Sequence, residues 1–403
     1  MSIRSYSPSF DVNGSHGPGP RIALYSHDTC GLGHLRRNLV ISRTLRSRLS
    51  ASILLVSGIR EAGSFPIDNG IDTLLLPALA KIDNRYYRSR RLELSLDALI
   101  HLRSGALKAA LTAFEPDVFI VDNVPRGAVR ELDDTLALLR AMRTTYCVLG
   151  LRDVLDAREN VKKEWLSPTN VTAIEDFYDT VWIYGDSSVY DAPAEYDFPD
   201  HIRRKVRFTG YINPLTSLPR SGEQSSFPEA PDLCLVGGGQ DGIELASTFA
   251  EACRITGRHG VVLTGPFMDD STASVLAAHP FVTVHRFSPD PIPLYTAARS
   301  VVSMGGYNTV LELLALGKRP LIVPRISPRE EQLLRAEALR RRDLVDVLHP
   351  SRLSPSSIAE WLNREQRSET LSRNSNSINM NGLETIVDDL KRLVLRSRVA
   401  ASA

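Results

Sequence analysis

The chain lacks several features that would each fix a function class. It has no run of about 20 apolar residues able to span a bilayer, and no basic start leading into an uninterrupted apolar core. Its four cysteines, Cys30, Cys147, Cys234 and Cys253, are scattered without the short paired spacings of zinc sites. Charge of one sign is missing as well: 48 Lys+Arg against 47 Asp+Glu leave a formal net charge of +1, so the whole molecule has no attraction for nucleic acid or an anionic membrane. No GKS or GKT phosphate loop occurs, and neither the first glycine loop nor the second has the dinucleotide fingerprint with its acidic residue about 20 positions later. No Asp-x-Asp pair stands where it would demand a metal, so the metal set is read as none. These absences disfavour membrane-spanning, zinc, P-loop and NAD-dependent readings. Reduced, packed cysteines indicate a cytoplasmic protein that can still sit against the inner face of a membrane.

What is present is a long, ordinary globular composition, 403 residues with 43% hydrophobic and 24% charged, enough for two domains with separate cores. Residues 1–20 are rich in Ser, Gly and Pro and read as a disordered leader. From Arg21 the chain exchanges short, nearly all-apolar runs for helical patterns: "RIALYS", "ASILLVS", "DTLLLP", "DVFIVD", "TYCVLGL" and "TVWIYG". A second series follows: "DLCLVGGG", "GVVLTG", "VTVHRF", "SVVSMGG", "PLIVP" and "LVDVL". Runs apolar at every position suit strands buried on both faces, and strand–helix alternation argues for parallel sheets with right-handed crossovers. The expected fold class is therefore α/β, two doubly wound Rossmann-like domains. Their bounds are 21–212, on the acceptor side, and 232–381. Residues 213–231, loaded with Pro, Ser and Gly, form a linker between them, and 382–403 a terminal helix and tail that packs back across the domains.

Loops at the carboxyl ends of parallel strands are the ligand-binding edge of this architecture. Three are glycine-rich: "CGLGH" at Cys30, "GGGQDG" at Gly237 and "MGGYNT" at Met304. Glycine lets backbone amides approach a phosphate, and the following helix N-terminus favours an anion. Two of the three lie in the second series, which places a diphosphate there. In "SMGGYNTVLELLALGKRPLIVPRISPREEQLLRAEAL", Ser303 to Leu339, Glu312 stands in the helix that the glycine loop opens, placed to accept from two ribose hydroxyls. Glu331 and Gln332 open a later helix, where they can meet sugar hydroxyls or simply solvent.

This segment resembles the second domain of the GT-B glycosyltransferases of family 28. The resemblance extends to "FTGYINP" ahead of the linker, "HRFSPDPIPLY" before the glycine-rich core, and "GLGH" where that family has a glycine–glycine–histidine knot. "SHDTCGLGHLRR" and "LGLRDVLD" match bacterial predicted glycosyltransferases in particular. The resemblance implies a GT-B fold and a hexosyltransferase that takes a UDP-sugar as donor, needs no obligatory cofactor and serves bacterial glycan synthesis. By the same resemblance Glu312 binds the ribose, Glu331 and Gln332 bind donor-sugar hydroxyls, and Phe287 with Ser288 flanks the uracil. Gly238, Gly239, Gln240, Gly305 and Gly306 hold the diphosphate, with Gly33, Asn308 and Thr309 among the donor contacts. Departures are Gly239 and Asp241 in the second loop, where small or hydroxylic residues are usual, and Glu331 in place of a glutamine. Retaining GT-B enzymes commonly carry a glutamate eight positions before the counterpart of Glu312. Met304 stands there, which favours inversion.

Inverting transfer needs a base for the acceptor hydroxyl and stabilisation of the leaving diphosphate. His34 is the leading base, oriented by Asp122, with Asp28 and Asp153 as rival carboxylates; a backbone or phosphate contact is the plainer role for His34. The acceptor, a glycan, a lipid-linked molecule or a small molecule, would meet the first domain. Arg88 and Arg91 in "KIDNRYYRSRRLEL", and Arg152 and Trp165 in "GLRDVLDARENVKKEW", are its candidate contacts. The basic loop is equally a solvated surface or a peripheral membrane contact. Alternatives are a nucleotide-sugar hydrolase or 2-epimerase on a related scaffold, or a non-catalytic nucleotide-sugar-binding protein.

Overall fold

The apolar runs become the strands of two parallel sheets in the computed structural model. It describes residues 19–27, 33–59, 65–81, 86–216, 230–238, 241–288, 290–364 and 378–401. In the first half, β1 (Arg21–Ser26), β2 (Ser52–Ser57) and β3 (Ile71–Leu75) are followed by a short hairpin of β4 (Leu79–Lys81) and β5 (Tyr87–Ser89). After it come β6 (Val118–Asp122), β7 (Tyr146–Arg152), β8 (Thr180–Tyr184) and β9 (Val206–Phe208). The seven-stranded sheet has the order β3-β2-β1-β6-β7-β8-β9. The second half supplies β10 (Asp232–Leu235), β11 (Gly260–Leu263), β12 (Val282–His285), β13 (Ser300–Ser303), β14 (Leu321–Ile322) and β15 (Asp346–Val347). These form a six-stranded sheet in the order β12-β11-β10-β13-β14-β15. β6 and β8 are buried at every position, as strands covered by helices on both faces must be.

Strand order decides where a ligand can sit. In the first sheet the order reverses between β1 and β6, and in the second between β10 and β13. At such a switch point the two crossovers leave on opposite faces and open a crevice at the carboxyl edge. His34 follows β1 and Asp122 ends β6, whereas the loops at Gly237 and Met304 follow β10 and β13. The chemistry-bearing residues thus converge on the two crevices.

The halves share packing. Leu39 of helix Gly33–Leu49 and Tyr184 of β8 belong to one apolar cluster with Tyr307, Val310 and Leu311 of helix Tyr307–Ala315. The terminal helix Gly382–Ala401 returns to the first sheet: Leu383, Ile386, Val387 and Leu390 join the cluster that holds Ile22 and Leu24. The Trp182 indole N–H also donates to Asp389 at 3.0 Å. Burying each such aliphatic side chain contributes about 1.5–3 kcal/mol, which holds the two halves together through these helices.

Strand β9, the β4–β5 hairpin and the helices Leu96–Phe114, Asp133–Met142, Pro168–Phe177, Asp270–Ala277 and Pro355–Asn363 add to what the apolar runs signal. The buried face of Leu96–Phe114 is interrupted by a polar residue, Arg103, fully buried against Glu131. Of the stretch 213–231, Pro214–Thr216 forms a single turn and 217–229 lies outside the described residues, as does nearly all of 1–20. Cys147, Cys234 and Cys253 are free and buried. Among the described residues, no helix is long and apolar enough to cross a membrane.

Candidate functional site

A cleft of about 310 Å³ opens where the two switch points meet. On its first-domain wall His34 is fixed by two neighbours. Its Nδ1 lies 2.6 Å from Asp122 Oδ2, and Arg37 Nη2 reaches both Asp122 oxygens at 2.6 Å. Arg37 Nη2 also stands 3.0 Å from His34 Nδ1, but a ring nitrogen that donates to a carboxylate cannot accept, so the Asp122 carboxylate takes both donors. That assigns the proton to Nδ1 and leaves Nε2 as the acceptor. Burial favours a neutral Asp122, but Arg37 and His34 outweigh it and hold the carboxyl well below the usual range. Arg37 is sandwiched, 5.5 Å from the ring centres of both Tyr184 and Tyr307. His27, whose ring centre is 5.1 Å from that of His34, is driven down to about 3 by burial and by His34.

The second-domain wall is made of glycine loops and carboxylates. Gly305 has φ 86°, and a Cβ there would lie 2.6 Å from the Ile322 methyl, so conformation and packing both require glycine. Gly306 differs: nothing lies within 4 Å of where its Cβ would stand, and it lines the cleft. Its missing side chain leaves the start of helix Tyr307–Ala315 open to a ligand anion. Gly238, Phe287, Ser288, Asn308 and Thr309 also line the cleft. Asn308 donates to the Gly33 carbonyl at 2.8 Å across the domains, and the Ser288 hydroxyl donates to the Asp290 carbonyl. Phe287 meets Phe65 of the first domain edge-on, ring centres 6.2 Å apart. Gln332 accepts from the Arg325 backbone N–H at 2.9 Å. Glu331 pairs with Arg325 through Oε1 at 2.9 Å, and its buried Oε2 has no partner among the described residues. Arg325 also reaches Asp241 at 3.2 Å, so the acidic departure in the second glycine loop is drawn to a cation rather than facing a phosphate unopposed.

Glu312 is buried beside the cleft, in an adjoining recess behind Arg36. Arg36 Nη2 donates to its Oε1 at 2.7 Å, while Oε2 is buried without a partner among the described residues. Burial pushes this carboxyl up, with Arg36 opposing. Tyr295, within hydrogen-bond reach of Arg36 and Thr309, lines the cleft beside them.

Four expected residues sit elsewhere. Asp153, the rival base, is a correction: it is 1% exposed and held by Arg335 at 2.8 Å, with Arg335 equally buried. A carboxylate locked in a buried ion pair across the domains is not free to take a proton from an acceptor. Trp165 is also corrected as a sugar platform, because its ring stacks on Phe198 at 5.1 Å and its N–H donates to the Asn123 carbonyl. Arg88 and Arg91 are exposed on and beside the hairpin, away from the cleft lining. Arg152 does line the cleft. Asp28, Gly239 and Gln240 lie outside the described residues.

The sequence reading left Arg36 and Arg37 unassigned and missed Arg325 and Arg335. Arg325 had a positional signal, since it follows β14 at the carboxyl edge of the sheet. Arg335, mid-helix, had none.

Comparison with known proteins agrees with this fold. Residues 234–390 match the model of the glycosyltransferase family 28 C-terminal domain. A curated relative is the UDP-N-acetylglucosamine–N-acetylmuramyl-(pentapeptide) pyrophosphoryl-undecaprenol N-acetylglucosamine transferase of Clostridium tetani. It is 32% identical over 100 residues, 24% of this chain and 28% of the relative, so the match spans little more than a quarter of that protein. Among solved structures, MurG of Acinetobacter baumannii superposes with a TM-score of 0.58 at 15% identity, covering 93% of this chain and 100% of the other. Phytolacca americana UGT2, solved with UDP-2-fluoro-glucose and pterostilbene, gives 0.63 at 11% identity, over 93% and 99%. The fold is GT-B, two Rossmann-like domains facing across a cleft.

Proposed function

We propose that this chain, whose residues 234–390 form a glycosyltransferase family 28 C-terminal domain, is an inverting glycosyltransferase. It moves a sugar from a UDP-sugar to a hydroxyl acceptor. One observation carries the reading: the His34–Asp122 pair at the switch point of the first sheet stands on the same cleft as Glu331, Gln332 and the glycine loops at the switch point of the second. In this mechanism His34 Nε2 takes the acceptor proton as the oxygen attacks the anomeric carbon. Asp122 stabilises the imidazolium that forms, and Arg37 keeps Asp122 ionised. The amides at Gly238 and Gly306, with the helix N-terminus at Tyr307, receive the charge that develops on the leaving diphosphate. Glu312 Oε2 accepts from the ribose, and Glu331 Oε2 and the Gln332 amide hold sugar hydroxyls. No step calls on a metal.

The test incubates the protein with a UDP-sugar panel, with and without an acceptor library, in the presence of a chelator. UDP release and the anomeric configuration of products are followed by NMR. Acceptor-dependent release with inverted configuration is expected. Release without acceptor would assign a hydrolase, an isomerised sugar without release an epimerase, and binding with no turnover against any acceptor a nucleotide-sugar binder.

Exposed Tyr86, Leu92 and Leu94 lie beside Arg88 and Arg91 around the hairpin. Apolar side chains interleaved with cations suit contact with an anionic lipid surface, and thus a lipid-linked acceptor presented there. Co-flotation with anionic but not neutral vesicles tests this.

A further inference from the structure

We propose that Arg152 seats an anionic substituent, a carboxylate or a phosphate, on the substrate group that fills the first-domain side of the cleft. The proposal rests on the reading of this cleft as a nucleotide-sugar site. Five guanidinium groups line it, those of Arg36, Arg37, Arg152, Arg325 and Arg335. Four are matched to carboxylates: Arg36 to Glu312, Arg37 to Asp122, Arg325 to Glu331 and Asp241, and Arg335 to Asp153. The Arg152 side chain makes no hydrogen bond or ion pair among the described residues, and its Nε is buried without a partner. A guanidinium with a desolvated N–H is costly unless paired, and the other four show how this fold meets that cost.

Of the nearby carboxylates, Glu331 acts on Arg152 through space while its Oε1 is spent on Arg325, and the others are committed. Asp153, next in sequence, is held by Arg335, while Asp156 accepts from Arg329 at 3.0 Å and from the Glu330 N–H at 2.9 Å. Burial, aided by Arg335 and Arg37 and opposed by Glu331, brings the Arg152 guanidinium down only to about 10, so it is charged at neutral pH. It ends β7, beside the strand that ends in Asp122, on the wall opposite the glycine loops assigned to the donor diphosphate. A planar fork so placed fits a carboxylate or phosphate in two-point contact. A neutral hydroxyl would satisfy its hydrogen bonds but leave its charge. Two sources fit this chemistry: the carboxylate of a uronic-acid donor sugar, and an acidic group on the acceptor.

Calorimetric titrations on the full chain test the assignment. UDP, UDP-glucose and UDP-glucuronic acid are titrated into wild type, Arg152→Gln and Arg152→Lys, and inorganic phosphate is titrated into each UDP-saturated protein. Because the Arg152 side chain makes no bond among the described residues, both variants are expected to fold and to bind UDP within about threefold of wild type. Wild type is expected to show one of two signatures. A preference of about tenfold or more for UDP-glucuronic acid over UDP-glucose assigns the donor. Phosphate uptake beside bound UDP without that preference assigns the acceptor. The signature should vanish in Arg152→Gln and partly return in Arg152→Lys. Neither signature in wild type, or one that survives Arg152→Gln, overturns the proposal. So does a tenfold loss of UDP affinity in Arg152→Gln, which would put Arg152 on the donor diphosphate. Failure of wild type to bind UDP at all overturns the nucleotide reading instead, and this proposal with it.

Discussion

Substituting Asp122 and His34 separately divides the structural from the chemical work of one carboxylate. Asp122 is 0% exposed and accepts from both His34 and Arg37 at 2.6 Å. In Asp122→Asn the charge disappears while Arg37, 3% exposed, stays buried. Removing one partner of a buried pair costs about 3–5 kcal/mol. The amide oxygen still accepts one bond and the Tyr184 and Tyr307 rings still hold the cation, so a loss of about 3 kcal/mol is expected, at the lower end. The asparagine NH2 can also donate to Nδ1, which stabilises the tautomer with its proton on Nε2 and removes the base. Turnover should fall by about a hundred- to ten-thousand-fold.

His34→Ala leaves the Asp122–Arg37 pair intact, so it should match that loss of turnover while losing no more than about 1 kcal/mol of stability. Both variants should bind UDP like wild type, because the proposed nucleotide seat lies on the second domain. Denaturant unfolding, UDP calorimetry and a UDP-release assay measure the three quantities. The reasoning is refuted if His34→Ala retains full turnover, or if Asp122→Asn is as stable as His34→Ala. Stability also has a pH signature. Asp122 is held below its ordinary value, so its stabilisation is complete above about pH 4 and is lost only as pH falls toward the depressed value.

Three further outcomes are expected. Asp153→Asn should cost about 3–5 kcal/mol by leaving Arg335 unpaired and should keep kcat at a temperature where it is folded; a stable but inactive variant would reinstate Asp153 as the base. Gly305→Ala should lower the melting temperature, being strained at φ 86° and against Ile322, whereas Gly306→Ala should leave melting nearly unchanged and weaken UDP binding at least about tenfold; equal effects from the two would remove Gly306 from the phosphate site. His27 titrates near 3 when folded against 6.5 when unfolded, so the unfolded chain binds the extra proton between those values and stability falls as pH drops from 6.5 toward 3. From pH 7 to 5 this contributes about 1–2 kcal/mol, which His27→Asn should abolish in denaturant titrations at the two pH values, and an unchanged pH slope would count against it.

Much of the architecture was legible because parallel strands covered on both faces must be apolar at nearly every position, and "DVFIVD" or "TVWIYG" can hardly be anything else. The glycine loops were legible because they follow those strands. Asp122 was readable as the partner of His34 from its place at the end of "DVFIVD", but the strand order that brings them together was not. β1 and β6 are neighbours across more than 90 residues, so nothing local tells His34 that Asp122 ends the adjacent strand. Trp165 looked like a sugar platform because its stacking partner, Phe198, lies 33 positions away and is met only in the tertiary fold.

Arg36 and Arg37 show the limit most sharply. One residue of α-helix is a rotation of about 100°, and here it sends Arg36 across the cleft to Glu312 and Arg37 inward to Asp122. The same two types, adjacent in sequence, thereby serve different walls: one touches the residue assigned to the ribose, the other fixes the charge behind the base. A helix that opens at the first switch point and points one cation into each domain ties the proposed donor seat to the proposed base. The spacing of His34, Arg36 and Arg37 relative to β1 should then matter more than their identity alone. An alanine inserted between His34 and Leu35 would rotate both arginines away from their carboxylates, and it should abolish UDP-sugar turnover more completely than Arg36→Ala or Arg37→Ala does singly.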